Sequence, residues 1–470
     1  MLRRLLFVSL LLGIGSPCFA QEKVLRAGAF AQNITPTKFP ISSNGGFQDR
    51  MVKRAHDRLH ARCLVLDDGT NQLAFVVCDS CMIPREITDE AKRLARKTTG
   101  LAPERIVISA THTHTAPTVA GVFQSEPDAD YVKALPGLIA DGIAKAHARL
   151  TLAKIGWGVG QDATQVFNRR WKVKPGSVLL TDPFGKGTDR VRMNPGHQHA
   201  DLVEQAGPID PGITFLSVQT RDGRPLALFA NYSLHYVGGV PDLSADYYGI
   251  YAERMRALLK GDADFVAAMS NGTSGDINNV NFAGVPFGKK EPGEQARVVA
   301  ESVAQATLAA QRKVEHRNWL PLASAQAEIE LGVRRPTEAE VARATGILAE
   351  AKKPVLTTPA EVYARETILM AKYPPKVKVV IQTHRVGDLG IVAIPCETFV
   401  EIGIDIKTKS PFKATYTQSL ANGYHGYLPT PEQHALGGYE TWRARSSYLE
   451  VDASRAITAK ALELLNQVAK

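Results

Sequence analysis

Residues 105–118 read RIVISATHTHTAPT, and this stretch sets the kind of fold the rest of the chain must supply. Arg105 to Ala110 has the β-branched, apolar character of a buried strand. His112 and His114 therefore fall where a strand leaves the core for a loop, the usual station of reactive groups on a rigid scaffold. Imidazole is the commonest protein ligand for zinc and similar metals. On an extended backbone side chains repeat every second residue, so the two histidines are expected on one side. They can then offer two nitrogens to one site, or one to a metal and one to a substrate. An isolated His-x-His is as often a plain polar strand end. The flanking threonines and Pro117 favour a built site.

Outward from this stretch, strand-like runs recur at 62–67, 73–78, 153–158, 213–219, 225–231, 264–269, 324–331, 377–384 and 389–394. Helix-like stretches lie between them, at 85–98, 130–149, 246–260, 293–312, 336–352, 359–372, 397–409 and 454–468. Hairpin signals (DDGTN, RDGRP, RVGDLG) interrupt the α/β alternation, which predicts an α/β fold with a mixed central sheet flanked by helices. The segment 160–212 is irregular and rich in Gly, Pro, Asn and Asp; a loop of that length in a compact domain is commonly functional. No repeat or low-complexity linker divides the chain. A single large domain over residues 21–470 is the economical reading, with its metal site on strand-end loops.

Residues 1–20 read as a secretory signal. A short basic start (Met1-Leu-Arg-Arg) precedes an apolar run, Leu5 to Ile14, too short to span a bilayer, and Ser16-Pro-Cys-Phe-Ala20 ends in small-x-small fashion. Pro17 before Cys18 disfavours a lipid anchor there. The expected location is secreted or periplasmic. Hydrophobic residues at 44% and charged residues at 22% are those of an ordinary globular protein. The net charge of +9 is scattered, without basic runs or basic–aromatic interleaving, which argues against nucleic acid as a partner. It leaves open a weak attraction to anionic membrane surfaces. The oligomeric state is not legible.

Four cysteines follow the leader: Cys63, Cys78, Cys81 and Cys396. Cys78-Asp-Ser-Cys81 lacks the second pair that a zinc ribbon needs. In a hairpin of 62–67 with 73–78, Cys63 and Cys78 are expected opposite each other. An oxidising compartment permits a disulfide, and buried free thiols are the equal alternative.

Three more polar clusters stand at strand ends. PLALFANYSLHYVG (225–238) puts His235 just beyond a strand. DFVAAMSNGTSGDINNVNF (264–282) runs from a strand into a dense Asn/Gly/Ser/Asp turn. IVAIPCETF (391–399) places Glu397 at the start of a helix. Each has a plain explanation alone: a satisfied polar residue, a tight connection, a carboxylate at a helix dipole. Together, all four clusters are loop-side and able to converge on one face of a sheet.

In this order the elements resemble the catalytic domain of the neutral/alkaline non-lysosomal ceramidases, which are zinc-dependent amidohydrolases. The family's THTHSGP-like element corresponds to Thr111-His112-Thr113-His114-Thr115-Ala116-Pro117. Its Asn-x-x-x-His element is similar to Asn231–His235, and its Pro-Gly-Glu to Pro395-Cys396-Glu397. Its Asn-x-Tyr-x-x-Tyr-x-Thr-x-x-Glu stretch is matched by Asn422 to Glu432, and a later Tyr-Glu pair by Tyr439-Glu440. The resemblance covers roughly residues 26–465. It implies one Zn2+ per chain, held by His112, His235, Glu397 and Tyr427. It implies catalytic roles beside the metal for His114, Arg169 and Tyr439.

Two departures accompany it. Where the family has a Gly-Asp-Val-Ser-Pro-Asn element with a catalytic serine, this chain has Gly275-Asp276-Ile277-Asn278-Asn279, with Ser274 before the Gly-Asp pair. The 470 residues also leave no room for the family's C-terminal immunoglobulin-like domain. The implied reaction is cleavage of a C–N amide bond by metal-activated water, as in N-acylsphingosine going to sphingosine and fatty acid. In it His114 is the first choice of acid for the leaving amine, and Asn278 is a hydrogen-bond donor to substrate. The substrate is then a small-molecule or lipid amide. Asp201, Glu204, Asp210, His197 and His199 make 160–212 read as too polar to line a groove for two lipid chains. That favours a less lipidic N-acyl substrate, and a catalytically drifted metal-binding protein is the alternative from another class.

Overall fold

The apolar run before the two histidines forms strand Ile106–Ala110, buried at every position. In the computed structural model, which describes residues 23–470, this strand is one edge of an eight-stranded sheet. From that edge the order is Ile106–Ala110, Gln72–Cys78, His60–Asp67, Leu25–Asn33, Thr151–Gln161, Gly212–Thr220, Pro225–Tyr232 and Val266–Asn271. The outermost pair at each edge is parallel and the pairs between are antiparallel. The sheet is mixed, as the interrupted α/β alternation predicts. The leader-like residues 1–20, Cys18 included, lie outside the described residues.

A second sheet, Leu322–Gly332, Lys376–Val386, Leu389–Ala393 and Ala414–Gln418, packs on one face of the first. Leu64, Phe75, Val107 and Leu216 from the large sheet meet Leu322, Val386 and Ile391 from the small one. This sheet-on-sheet layer buries both faces of most strands, which is why they read as continuous apolar runs. Helices cover the two outer faces: Arg85–Thr99 and Ala129–Ala148 on half of the large sheet, Asp246–Leu258 and Glu294–Gln311 on the other half. Val400–Lys409 and Ala453–Ala469 cover the small sheet. The helices Glu338–Glu350 and Pro359–Met370 begin in capping boxes, Thr337 with Glu340 and Thr358 with Glu361, each satisfying free N–H groups of the first turn.

The two edges of the large sheet are tied together by residues 419–422. Ser419 N donates to Asn271 O on one edge (3.0 Å), while Ala110 N donates to Leu420 O (3.1 Å) and Asn422 N to Ile108 O (2.7 Å) on the other. Asn271 Nδ2 also reaches Thr111 O at 3.2 Å. The loops after the two edge pairs therefore open beside each other, although their strands are separated by the whole width of the sheet.

The structure corrects several sequence expectations. Leu25–Asn33 is a central strand that its Gly- and Ala-rich sequence does not announce. Gly28 is needed there because a Cβ would collide with the Ala146 carbonyl of the covering helix. Cys63 is registered with Val76 and Cys78 with Ala61, so the two cysteines are offset by two residues; all four are buried free thiols. Glu397 does not start a helix: Glu397–Thr398 pairs in parallel with Tyr427–Leu428, and the helix begins at Val400. The segment 160–212 is partly ordered as a small sheet of Arg170–Val173 between Val191–Met193 and Leu202–Gln205. No helix among the described residues is long and apolar enough to cross a membrane.

Candidate metal centre

Strand Ile106–Ala110 ends just before His112, which takes a left-handed backbone, φ 72°. His112 and His114 do converge, through this turn and not through an extended alternation: their Nε2 atoms are 3.1 Å apart. From the strand next to the opposite edge of the sheet, Pro225–Tyr232, His235 brings its Nε2 to 3.0 Å from that of His112. Glu397 follows the small-sheet strand Leu389–Ala393 and sets Oε2 3.1 Å from His112 Nε2 and 4.0 Å from His235 Nε2. His112, His235 and Glu397 are buried and offer three ligand atoms lying within 4.8 Å of one another.

The other ring nitrogens settle the tautomers. His112 Nδ1 lies 2.7 Å from Cys81 O, His114 Nδ1 2.9 Å from Gly45 O, and His235 Nδ1 3.0 Å from Ser274 O. A carbonyl only accepts, so each Nδ1 carries the hydrogen and each neutral ring turns an Nε2 lone pair inward. Lone pairs at 3.0–3.1 Å repel unless a positive charge sits among them. Glu397 Oε2 is likewise buried without a hydrogen-bond partner. Burial works against a charge on His112, yet the Glu397 carboxylate outweighs it and holds the imidazole up at about 10. Burial, joined by repulsion from neighbouring cations, pushes His114 and His235 well below the ordinary imidazole value. The point of convergence thus calls for one positive charge, a proton or a metal ion, and the N/O donor set suits zinc.

Around this point Tyr427 sits next to Glu397 in the short parallel pair, and its Oη accepts from Arg169 Nη2 at 3.0 Å. Arg169 is buried, its Nη2 also donating to Gly275 O (2.8 Å) and its Nε to Glu440 Oε1 (3.0 Å). Glu440 is held from its other side by Arg170. Tyr439 packs its ring 5.9 Å from that of Tyr427 and lines the recess in front of the histidines. Five of the expected residues, His112, His114, Glu397, Tyr427 and Tyr439, share that recess. Asn278 makes its side-chain hydrogen bonds outside the histidine cluster: its Nδ2 donates to Asn194 Oδ1 (2.8 Å) and its Oδ1 accepts from Val280 N (2.9 Å). Ser274 turns its hydroxyl to Asn271 (2.7 Å) and only its carbonyl toward His235. Asp276 accepts from Val400 N (2.9 Å) and Asn168 Nδ2 (2.7 Å), which ties its turn to the helix after Glu397.

Three neighbours escape a reading of the sequence alone. Tyr424 donates to Glu397 Oε1 at 2.9 Å and so orients the carboxylate; its place between Asn422 and Tyr427 is the signal that was there to use. Tyr236 stacks on the His114 ring, centroids 3.7 Å apart. The Cys81 thiol lies 3.8 Å from His112 Nδ1 and faces the same recess.

Beyond Gly46 and Tyr439, which border both spaces, the recess adjoins a pocket of about 520 Å3. That is within the ordinary range for one small-molecule ligand. Leu179, Val191 and Met193 from the 160–212 segment line it with Phe47, Pro359 and Trp442. The expectation that this segment is too polar to line a substrate groove is therefore corrected. Asp201 and Glu204 pair elsewhere, with Ser177 and Lys172, while the segment lends the pocket both these apolar residues and the charged Asp182, Asp189 and Arg192.

No family model matches the sequence. Among solved structures, the chain is similar to neutral ceramidase from Pseudomonas aeruginosa, with a TM-score of 0.71 at 18% identity, over 96% of this chain and 75% of that one. A ceramidase complexed with C2 matches equally, with a TM-score of 0.71 at 18% identity over 95% of this chain and 75% of that one. Together with the architecture above, these matches establish that the chain has the α/β fold of neutral ceramidase.

Proposed function

We propose that the chain is an exported, zinc-dependent amidohydrolase acting on an N-acyl substrate with an apolar chain. One observation carries this reading: the inward imidazole nitrogens of His112 and His235 and a partnerless Glu397 carboxylate oxygen meet at a buried point, with His114 beside them, next to a largely apolar, substrate-sized pocket. The neutral ceramidase fold supports it. His112, His235 and Glu397 would hold the ion, with Tyr427 beside them. Zinc, when bound, supplies a Lewis acid that polarises a carbonyl and acidifies water.

The chain's own groups carry the remaining steps. Arg169, locked by Glu440 and Gly275, brings a fixed guanidinium to the oxygen on which negative charge develops. His114 rests unprotonated with Nδ1–H anchored on Gly45, so its Nε2 is free to take a proton and pass it to the leaving amine. Tyr439 covers the recess and limits water around the reacting amide. No serine nucleophile is required. Export rests on the leader-like residues 1–20, and the catalytic domain is the chain that follows them.

The test is hydrolysis of a panel of N-acyl amides by purified protein, ceramide included, before and after chelation. Loss of turnover on chelation and its return with zinc supports the reading. Turnover indifferent to chelation overturns it. So does a zinc-loaded protein that cleaves no amide, which would be a metal-binding protein without catalysis.

A further inference from the structure

The pocket beside the metal centre holds one feature that an uncharged lipid leaves unexplained. Three charged residues line its otherwise apolar wall: Asp182, Asp189 and Arg192. The two acids are already satisfied. Asp182 accepts from the backbone N–H groups of Phe184 (2.8 Å) and Gly187 (2.6 Å), and Asp189 Oδ2 accepts from Trp442 Nε1 (2.8 Å). Arg192 has no side-chain hydrogen bond or ion pair among the described residues, and its Nε is sealed from solvent without a partner. Arg169 and Arg170, by comparison, donate to Glu440, Tyr427, Gln433 and backbone carbonyls.

We infer that the pocket takes an amide whose pocket-bound half is apolar and carries a carboxylate gripped by Arg192. This rests on the amidohydrolase reading above and goes further, naming the substrate's charge. A guanidinium presents a planar fork of N–H donors that matches the two oxygens of a carboxylate. Arg192 lines the pocket part-exposed and, among the described residues, unpaired, so a ligand whose carboxylate meets its guanidinium gains affinity that a plain hydrocarbon cannot. With two carboxylates already on the same wall, a singly charged group suits the pocket and a polyanion does not. Val191, Arg192 and Met193 all border the pocket, so the charge has apolar neighbours on either side in the chain.

The carboxylate has two chemical sources, the amine half, as in an N-acyl amino acid, or the acyl half, as in the monoamide of a dicarboxylic acid. The experiment compares kcat/KM of the zinc-loaded chain for both with that for a neutral N-acyl ethanolamine of equal length. The anionic substrate on one of the two arms is expected to be preferred by about 10- to 100-fold, as one charge-assisted pair allows. Arg192→Gln should bring that ratio close to one, mainly through KM. Binding of a medium-chain fatty acid, followed by calorimetry, is expected to weaken in the same variant, a readout independent of turnover. Equal rates on anionic and neutral amides, or losses of equal size on both in Arg192→Gln, overturn the inference and leave the amidohydrolase reading standing. If no amide is cleaved the hydrolase reading fails, and the calorimetric difference alone then decides the role of Arg192.

Discussion

The Nε2 atoms of His112 and His235 face each other across 3.0 Å, each with its Nδ1–H spent on a backbone carbonyl. His112 follows one edge strand of an eight-stranded sheet and His235 the strand next to the other edge, and residues 419–422 bridge the two edges. Two lone pairs at that distance are stable only around a cation. The backbone thereby presents the two nitrogens to one positive charge, a proton or a metal ion.

Metal content should follow this geometry. The zinc-loaded protein should hold one ion per chain by mass spectrometry, and His112→Ala, His235→Ala or Glu397→Gln should each reduce it severely. A variant that keeps full zinc would remove its residue from the ligand set.

For His114 the expectation is the reverse. Its Nε2 lies 3.1 Å from that of His112, and it stands outside the His112–His235–Glu397 group. His114→Ala should lower turnover by about 10²–10⁴-fold, as for a lost general acid, with zinc near stoichiometric. Parallel loss of zinc would make it a ligand.

Tyr424 should act through Glu397. Removing its hydroxyl in Tyr424→Phe leaves Glu397 Oε1 without its 2.9 Å donor. Zinc affinity, titrated against a competing chelator, should fall by about 10–100-fold, the usual effect of losing an orienting partner. An unchanged affinity would assign the carboxylate's orientation elsewhere.

Ser274→Ala should keep substantial activity. The hydroxyl serves Asn271, while the carbonyl that fixes His235 survives the substitution. Intact-mass analysis during turnover should show no acyl-enzyme. A covalent adduct on Ser274 would replace the water-based mechanism with a serine one.

A pH test probes the core away from the site. His384 lies fully buried between the sheets, neither ring nitrogen has a partner, and burial pushes its pKa from 6.5 to about 3. Above 6.5 the ring is neutral in both folded and unfolded chains. As the pH falls from 6.5 toward 3 only the unfolded chain takes up the proton, so stability drops by about 1.4 kcal/mol per pH unit. His384→Leu should flatten the acid limb of a denaturation series over that window. An unchanged acid limb would show that the buried ring does not set it.

Much of the frame is legible in the sequence, because local chemistry decides it. Apolar runs such as LAFVVC and PLALFA are strands in any context that buries both faces, and capped amphipathic stretches such as 338–350 are helices. The same physics puts His112 and His235 just past strands, so a resemblance to zinc amidohydrolases could be drawn from their order. Leu25–Asn33 is hidden because Gly28 and its alanines carry weak strand preference; the covering helix, whose Ala146 carbonyl leaves no room for a Cβ, is what requires them.

What the chain order could not decide is distance. Cys63 and Cys78 miss each other by a register offset of two residues, which no local signal sets. Glu397 lies in a two-residue parallel pair with Tyr427, thirty positions away, and that pairing turns its carboxylate toward the histidines. The 160–212 segment looks polar along the chain, yet it folds so that Leu179, Val191 and Met193 as well as Asp182, Asp189 and Arg192 line one pocket. Each of these is a non-local contact whose energy comes from packing and pairing between segments remote in sequence. Propensity and pattern, summed over a short window, do not contain that energy.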